Sequence, residues 1–316
     1  MKKHIIMGAL AALLAITEMQ AYELVKPDFR VQLYPEGQNV DKGISENGRT
    51  ITLGPLESNG LTGENRINER GNICNVGDDA YLDFYIPKNC NGQMIVVCPG
   101  GGYHNLSATN EGSRVADWCS RRGIAVCVVI CRMPNGHSRV PLTDVQNAFR
   151  YCRAHASEWG VKNIGVMGFS AGGHLAASAS TLFTDAQTRP DFSVLIYPVI
   201  TLEEFVTHAG SRDNLIGPKA KKSEVEYYSL ENQVSENTPP TILLLSGDDG
   251  AVPPENSIRY YRAMQKHGVE GELHIFTSGG HGWGFTTVEN SGHDNLGNQR
   301  ENFFQILSRW LDAHNK

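Results

Sequence analysis

Residues 168–172 read Gly168-Phe169-Ser170-Ala171-Gly172. This is a G-x-S-x-G turn, and its surroundings decide how it is read. Asn163-Ile164-Gly165-Val166-Met167 precedes it, an apolar run of strand length. Gly173-His174-Leu175-Ala176-Ala177-Ser178-Ala179 follows, a run of small helix formers. A strand that feeds a helix through one sharp turn lifts the intervening serine hydroxyl above the edge of a sheet. Glycine on either side of the serine lets strand and helix approach where a Cβ would collide. A chemically idle small-residue turn would account for the five residues alone, but not for the strand and helix around them. Ser170 is therefore the candidate nucleophile.

Working outward, strand and helix patterns alternate from about residue 93. Met94 to Cys98 is a continuous apolar run, as expected of a central strand covered on both faces. The pattern from Glu111 to Arg122 places Val115, Trp118 and Cys119 on one helical face, and Ile124 to Cys131 is the next buried strand. A long amphipathic helix opens at Pro141-Leu142-Thr143-Asp144 and repeats Val145, Phe149, Cys152 and Ala156 at helical spacing. Further strands are expected at 193–197, 241–246 and 272–277, with helices at 255–267 and 302–313. Such alternation predicts an α/β fold, a mostly parallel sheet with helices on both faces. Residues 200–238 interrupt it. They are polar and too long for a simple connection, and are expected to form an inserted, cap-like segment over the site.

The remaining chain is expected to divide simply. Lys2 and Lys3 followed by the apolar stretch Ile5 to Ile16, with Ala21 before a cut, read as a signal peptide over 1–21. Residues 22–73 read as a polar lead-in with short edge strands, and 74–316 as the main domain. Export to the periplasm or beyond follows, with no stable membrane anchor. Of the 316 residues, 40% are hydrophobic and 20% charged, as in an ordinary globular protein. The net charge of −6, with no basic block, points away from nucleic acid. Nothing in the sequence sets an oligomeric state. The seven cysteines show no C-x-x-C pair and no metal-ligand cluster, so neither a metal nor another cofactor is expected. Cys98, Cys127 and Cys131 read as small core residues. An oxidising compartment admits a Cys74–Cys90 disulfide.

A serine nucleophile needs a base, an orienting acid and donors for the oxyanion. After a strand and elbow of this kind the acid and then the histidine follow in chain order. Gly247-Asp248-Asp249-Gly250-Ala251-Val252-Pro253 comes after the strand at 241–246. The D-x-x-V-P spacing favours Asp249 as the acid, with Asp248 as the alternative, although turn aspartates commonly serve only their own backbone. Ser278-Gly279-Gly280-His281-Gly282 follows the last strand and makes His281 the base. His293 falls in a polar loop, and His174, on the helix after the nucleophile, reads as a packing residue. For the oxyanion, the N–H of Ala171 is joined by those of Gly101 and Gly102 in Pro99-Gly100-Gly101-Gly102-Tyr103. That loop lacks the G-x-G-x-x-G or G-K-[ST] spacing of a phosphate cradle. Tyr103 and His104 stand beside it as candidate substrate contacts.

Several stretches together resemble the exported bacterial acetylxylan-esterase and feruloyl-esterase-like α/β-hydrolases. They are the glycine loop, Glu111-Gly112, Pro141 to Asp144, Gly168 to Ala176, Tyr197-Pro198-Val199-Ile200, Thr207 to Gly217, Thr238-Pro239-Pro240, Val252-Pro253 and Gly279 to Gly282. The resemblance implies an α/β-hydrolase fold over roughly 74–313, with Ser170, His281 and Asp249 as triad. It implies removal of O-acetyl groups from a xylan-like carbohydrate through an acyl-enzyme. Feruloyl or generic short-chain esters are the alternative within the same fold. A serine peptidase is a weaker one, since residues 22–92 are too few for the propeller such enzymes carry. A non-catalytic sugar binder would leave the triad order without a purpose. The chain departs from the group at Cys131-Arg132-Met133-Pro134, where relatives have a Tyr-Arg-Leu-Pro-like segment.

Overall fold

The computed structural model describes residues 25–34, 66–67, 72–74, 76–77 and 80–315. The apolar N-terminal segment lies outside them. Eight strands form the main sheet: β1 (Phe29–Gln32), β2 (Tyr81–Tyr85), β3 (Gln93–Cys98), β4 (Ala125–Ile130), β5 (Asn163–Phe169), β6 (Ser193–Ile196), β7 (Thr241–Ser246) and β8 (Gly271–Phe276). Their spatial order is β1-β2-β4-β3-β5-β6-β7-β8. β1 and β2 run antiparallel to their neighbours, and every other pairing is parallel.

Burial explains why the apolar runs become these strands. Every residue of β3, β4, β5 and β7 is buried, which requires helices against both faces of the sheet. The chain supplies them as crossovers. α1 (Arg114–Ser120) links β3 to β4, α2 (Arg139–His155) links β4 to β5, and α3 (Ser170–Thr181) links β5 to β6. α6 (Glu255–Lys266) then links β7 to β8. The closing helix α7 (Arg300–Ala313) packs beside α1, where Phe304 stacks on Trp118 at 5.5 Å. α2 buries Val145, Phe149 and Cys152 of the stripe expected from its spacing, together with Ala148, while the fourth, Ala156, falls just past the helix and is half-buried. Complete burial of a side chain such as Phe149 is worth roughly 2–3 kcal/mol.

The first crossover starts differently from its pattern. Residues Thr109–Ser113 form a π-helical turn before α1, so Glu111 does not sit on the regular helical face. That wide turn brings its carboxylate inside, and Glu111 is buried. α2 begins at Arg139, two residues before Pro141, which occupies the first turn where its missing N–H is harmless. The 200–238 segment is not irregular throughout. It holds α4 (Ala209–Ile216) and α5 (Lys222–Tyr228), both short and without a continuous apolar stripe.

The described part of the lead-in is joined to the sheet. Arg30 makes a two-pronged ion pair with Asp83 at 2.7 and 2.9 Å, and Phe29 stacks on Phe84 at 4.8 Å. Tyr34 bonds Asp144, which also pairs with the buried Arg132, and the Arg132 guanidinium lies over the Tyr34 ring. The Cys131-Arg132 departure thus leaves the arginine in a structural cluster. All seven cysteines are free thiols, so the disulfide that an oxidising compartment would admit between Cys74 and Cys90 is absent: Cys74 is buried, and the Cys90 thiol faces the Gln93 carbonyl.

Parallel register sets where the chemistry gathers. Cys98 pairs with Gly168, Phe169 with Ile196, Ile196 with Leu244, and Ser246 with Phe276. The loops after β3, β5, β7 and β8 therefore emerge along one carboxyl edge of the sheet, where ligands of open α/β sheets bind.

Candidate active site

Ser170 is the first residue of α3 and has φ +53°, a left-handed conformation that costs a non-glycine residue energy. The turn is held by close packing. A Cβ on Gly168 would lie 2.1 Å from the Gly172 carbonyl oxygen, and one on Gly172 would lie 2.1 Å from that of Cys98. Both approaches are impossible for any other residue, so the elbow clamps α3 against the end of β3. Ser170 is left 8% exposed, enough for its hydroxyl to meet a substrate from one side.

His281 and Asp249 complete a continuous hydrogen-bonded chain. Ser170 Oγ is 2.8 Å from His281 Nε2, and His281 Nδ1 is 2.7 Å from Asp249 Oδ2. The other Asp249 oxygen accepts the N–H groups of Ala251 and Val252, each at 2.9 Å. This uses the D-x-x-V-P spacing: the second and third residues after the aspartate turn their amides back onto it. The Asp249 side chain is fully buried. Asp248 plays a different part, accepting the Gly280 N–H at 2.8 Å and so bracing the loop that carries His281.

The glycine loop lies beside the elbow. Gly100 donates its N–H to Glu111 at 2.7 Å and is committed there. Gly101 and Gly102 have φ of +132° and +66° and form the bend beyond it. Ala171 stands in the first turn of α3, where the N–H groups have no partner within the helix. Tyr103, expected to meet substrate, is turned inward instead. Its hydroxyl is 2.9 Å from His174 Nδ1, while His174 Nε2 bonds the Tyr228 carbonyl at 2.8 Å. His174 is wholly buried, which lowers its pKa to about 4, so it is a neutral strut. His104 is half-buried beside the loop. His293 is exposed, away from these contacts.

Three contributors escape a reading of sequence alone. Glu111 joins two walls of the site: besides Gly100, it accepts the Tyr197 hydroxyl at 2.8 Å. Tyr197 in turn accepts the Gly284 N–H at 2.8 Å, and its ring lies 4.8 Å from that of His281. Burial raises the Glu111 pKa, while the bonds from Tyr197 and Gly100 and the nearby His281 pull it down. One carboxylate thus ties the glycine loop to the histidine loop. The third is His208, which caps α4 and faces Gly102. All three stand in stretches the resemblance had picked out, but their partners lie too far along the chain for spacing to reveal. Among the described residues, no group of three or more His, Cys, Asp or Glu side chains could hold a metal. Nor is any described helix long and apolar enough to cross a membrane.

Known proteins share this architecture. The BD-FAE family matches residues 82–264. An "Acetylxylan esterase" of Xylanibacter ruminicola is 41% identical over 76% of this chain and 50% of its own length. The "Endo-1,4-beta-xylanase B" of Butyrivibrio fibrisolvens is 34% identical over 60% of this chain and 32% of its own. The chain therefore spans half or less of these curated relatives. Among solved structures, the acetyl ester-xyloside bifunctional hydrolase of Caldicellulosiruptor lactoaceticus superposes with a TM-score of 0.66 at 35% identity. That match covers 74% of this chain and 88% of the other.

Proposed function

This chain belongs to the BD-FAE family and has the α/β-hydrolase fold, and we propose that it is a serine carboxylic ester hydrolase that removes O-acetyl groups from a xylan-like carbohydrate. The observation that carries the proposal is the unbroken chain from Ser170 through His281 to Asp249 beside the glycine loop. The names of the relatives support the carbohydrate ester, since two refer to acetylxylan and to an acetyl ester-xyloside.

In the proposed reaction Ser170 Oγ attacks the acetyl carbon and gives its proton to His281 Nε2. Asp249 holds Nδ1–H, which keeps Nε2 free to accept, and stabilises the imidazolium once it forms. The carbonyl oxygen becomes negative and is met by the amides of Ala171, Gly101 and Gly102. Each such donor is worth about 3 kcal/mol in the barrier. Collapse expels the sugar alkoxide, which takes the proton from His281, and leaves acetyl-Ser170. Water then gives a proton to His281 and its oxygen to the acetyl carbon, releasing acetate and restoring the serine. The basic and apolar segment at 1–21 supports action outside the cytoplasm, where the polysaccharide lies.

The test is product release from acetylated and from feruloylated xylo-oligosaccharides, with Ser170→Ala as blank. Acetate without ferulate is the expected result. Ferulate release, or turnover of small synthetic esters alone, would keep the esterase and discard the acetylated carbohydrate.

A further inference from the structure

His208 lies at the start of the inserted segment, far in sequence from the triad and close to it in space. It is the N-cap of α4: its Nδ1 accepts the Ser211 N–H at 3.2 Å and lies 2.8 Å from the Ser211 hydroxyl. Serine, threonine, asparagine or aspartate would cap this helix as well or better. The cap therefore explains where the ring is held, but not why it is an imidazole.

The other ring nitrogen supplies a reason. Because Nδ1 accepts a backbone N–H, the neutral ring must carry its proton on Nε2. Burial, and then the neighbouring His281, lower the His208 pKa, so the ring stays neutral with that tautomer. Nε2 has no hydrogen-bond partner among the described residues, and it is not among the atoms sealed from solvent. The ring is held against the glycine loop. Cε1, the ring carbon between the nitrogens, is 3.8 Å from where a Cβ on Gly102 would stand. Asn214, on the same helix, donates to the Gly102 carbonyl at 2.8 Å and locks α4 onto the glycine loop. His208 also lies near enough to both His281 and Asp249 for their charges to act on it.

An acetyl group has one polar atom, its carbonyl oxygen, and the amides of the glycine loop and elbow serve that. Its methyl offers no acceptor. An N–H held at the edge of this site can thus be satisfied only by oxygens on the alcohol side of the ester. We infer that His208 is a specificity residue whose Nε2–H binds a hydroxyl or ring oxygen of the sugar beside the scissile ester. The inference rests on the carbohydrate-ester reading above.

The test compares a mono-O-acetylated xylobiose with 4-nitrophenyl acetate, whose alcohol part has no sugar oxygens. Wild type, His208→Ala and His208→Asn are assayed on both. Asparagine keeps the helix cap but is too short to reach the sugar, so it separates capping from recognition. Both variants are expected to lose about tenfold to a hundredfold in kcat/KM on the xylobiose ester. On the aryl ester they should stay within about threefold of wild type, since a group contacting only the alcohol leaves that reaction alone. Breakdown of acetyl-Ser170 should be unchanged, because the alcohol has left by then. Equal losses on both esters, slower deacylation, or no loss on either would overturn the inference. A wild type that ignores the xylobiose ester would instead sink the carbohydrate reading, and this inference with it, before any variant is assayed.

Discussion

Replacing Asp249 with asparagine changes only one atom, and the geometry says what that atom does. The carboxylate accepts from three donors: Ala251 N–H, Val252 N–H and His281 Nδ1–H. Two of them are backbone amides that cannot reverse. Asparagine must therefore turn its carbonyl oxygen to Ala251 and Val252, at the 2.9 Å positions now held by Oδ1. Its amide nitrogen then faces His281 Nδ1 and donates to it. The imidazole is forced to carry its proton on Nε2, which points at Ser170 Oγ 2.8 Å away and can no longer accept the serine's proton. Locking the wrong tautomer in such a triad lowers turnover by about 10⁴, or roughly 5.5 kcal/mol of barrier. Asp248→Asn is the control. It holds only the Gly280 N–H, which an amide oxygen also accepts, so a loss below about tenfold is expected. The assay is kcat/KM on 4-nitrophenyl acetate near neutral pH, with circular dichroism to show that both variants are folded. A folded Asp249→Asn enzyme within tenfold of wild type, or an Asp248→Asn enzyme that loses more, would refute this account of the acid.

Other expectations follow from neighbouring contacts. Ser170→Ala should lose nearly all esterase activity while keeping a wild-type thermal unfolding profile, because the turn is held by the flanking glycines. Glu111→Gln should stay folded but lose about tenfold in kcat, because its amide cannot accept from both Gly100 and Tyr197. The sign of its pH effect is set. A folded pKa raised above 4.5 means that the native state holds this proton more tightly, so the glutamate's contribution falls as pH rises from about 4.5 through the folded value. Urea titrations across that range should show the Gln variant gaining on wild type as pH increases. Asp144→Ala should destabilise by about 3–5 kcal/mol, since it removes the buried carboxylate that pairs with the 2%-exposed Arg132 side chain and bonds Tyr34. Chemical denaturation would measure it, and a loss under 1 kcal/mol would show that the cluster is not what holds Tyr34 down.

What was legible in the sequence shares one property: it depends on neighbours in the chain. The buried strands can be read because residues covered on both faces must be apolar in succession. The elbow can be read because strand, glycines and helix are contiguous, and Asp249 can be preferred to Asp248 because its acceptors' partners are two and three residues away. Glu111 obeys none of this. Its run has the helical spacing of a surface acid, yet a single π turn rotates it inward to Tyr197, 86 positions later. Tyr103 misleads for the converse reason. Beside a glycine loop a tyrosine suggests substrate, and only the fold reveals His174 waiting 71 positions on to bind its hydroxyl. His208 combines both problems, since its cap is local but its meaning comes from Gly102 and His281. The reacting groups are thus the readable part of this site because chemistry fixes their identity and order. The groups that hold and select are hidden because only packing chooses them, and packing at a sheet's carboxyl edge joins loops from four different strands.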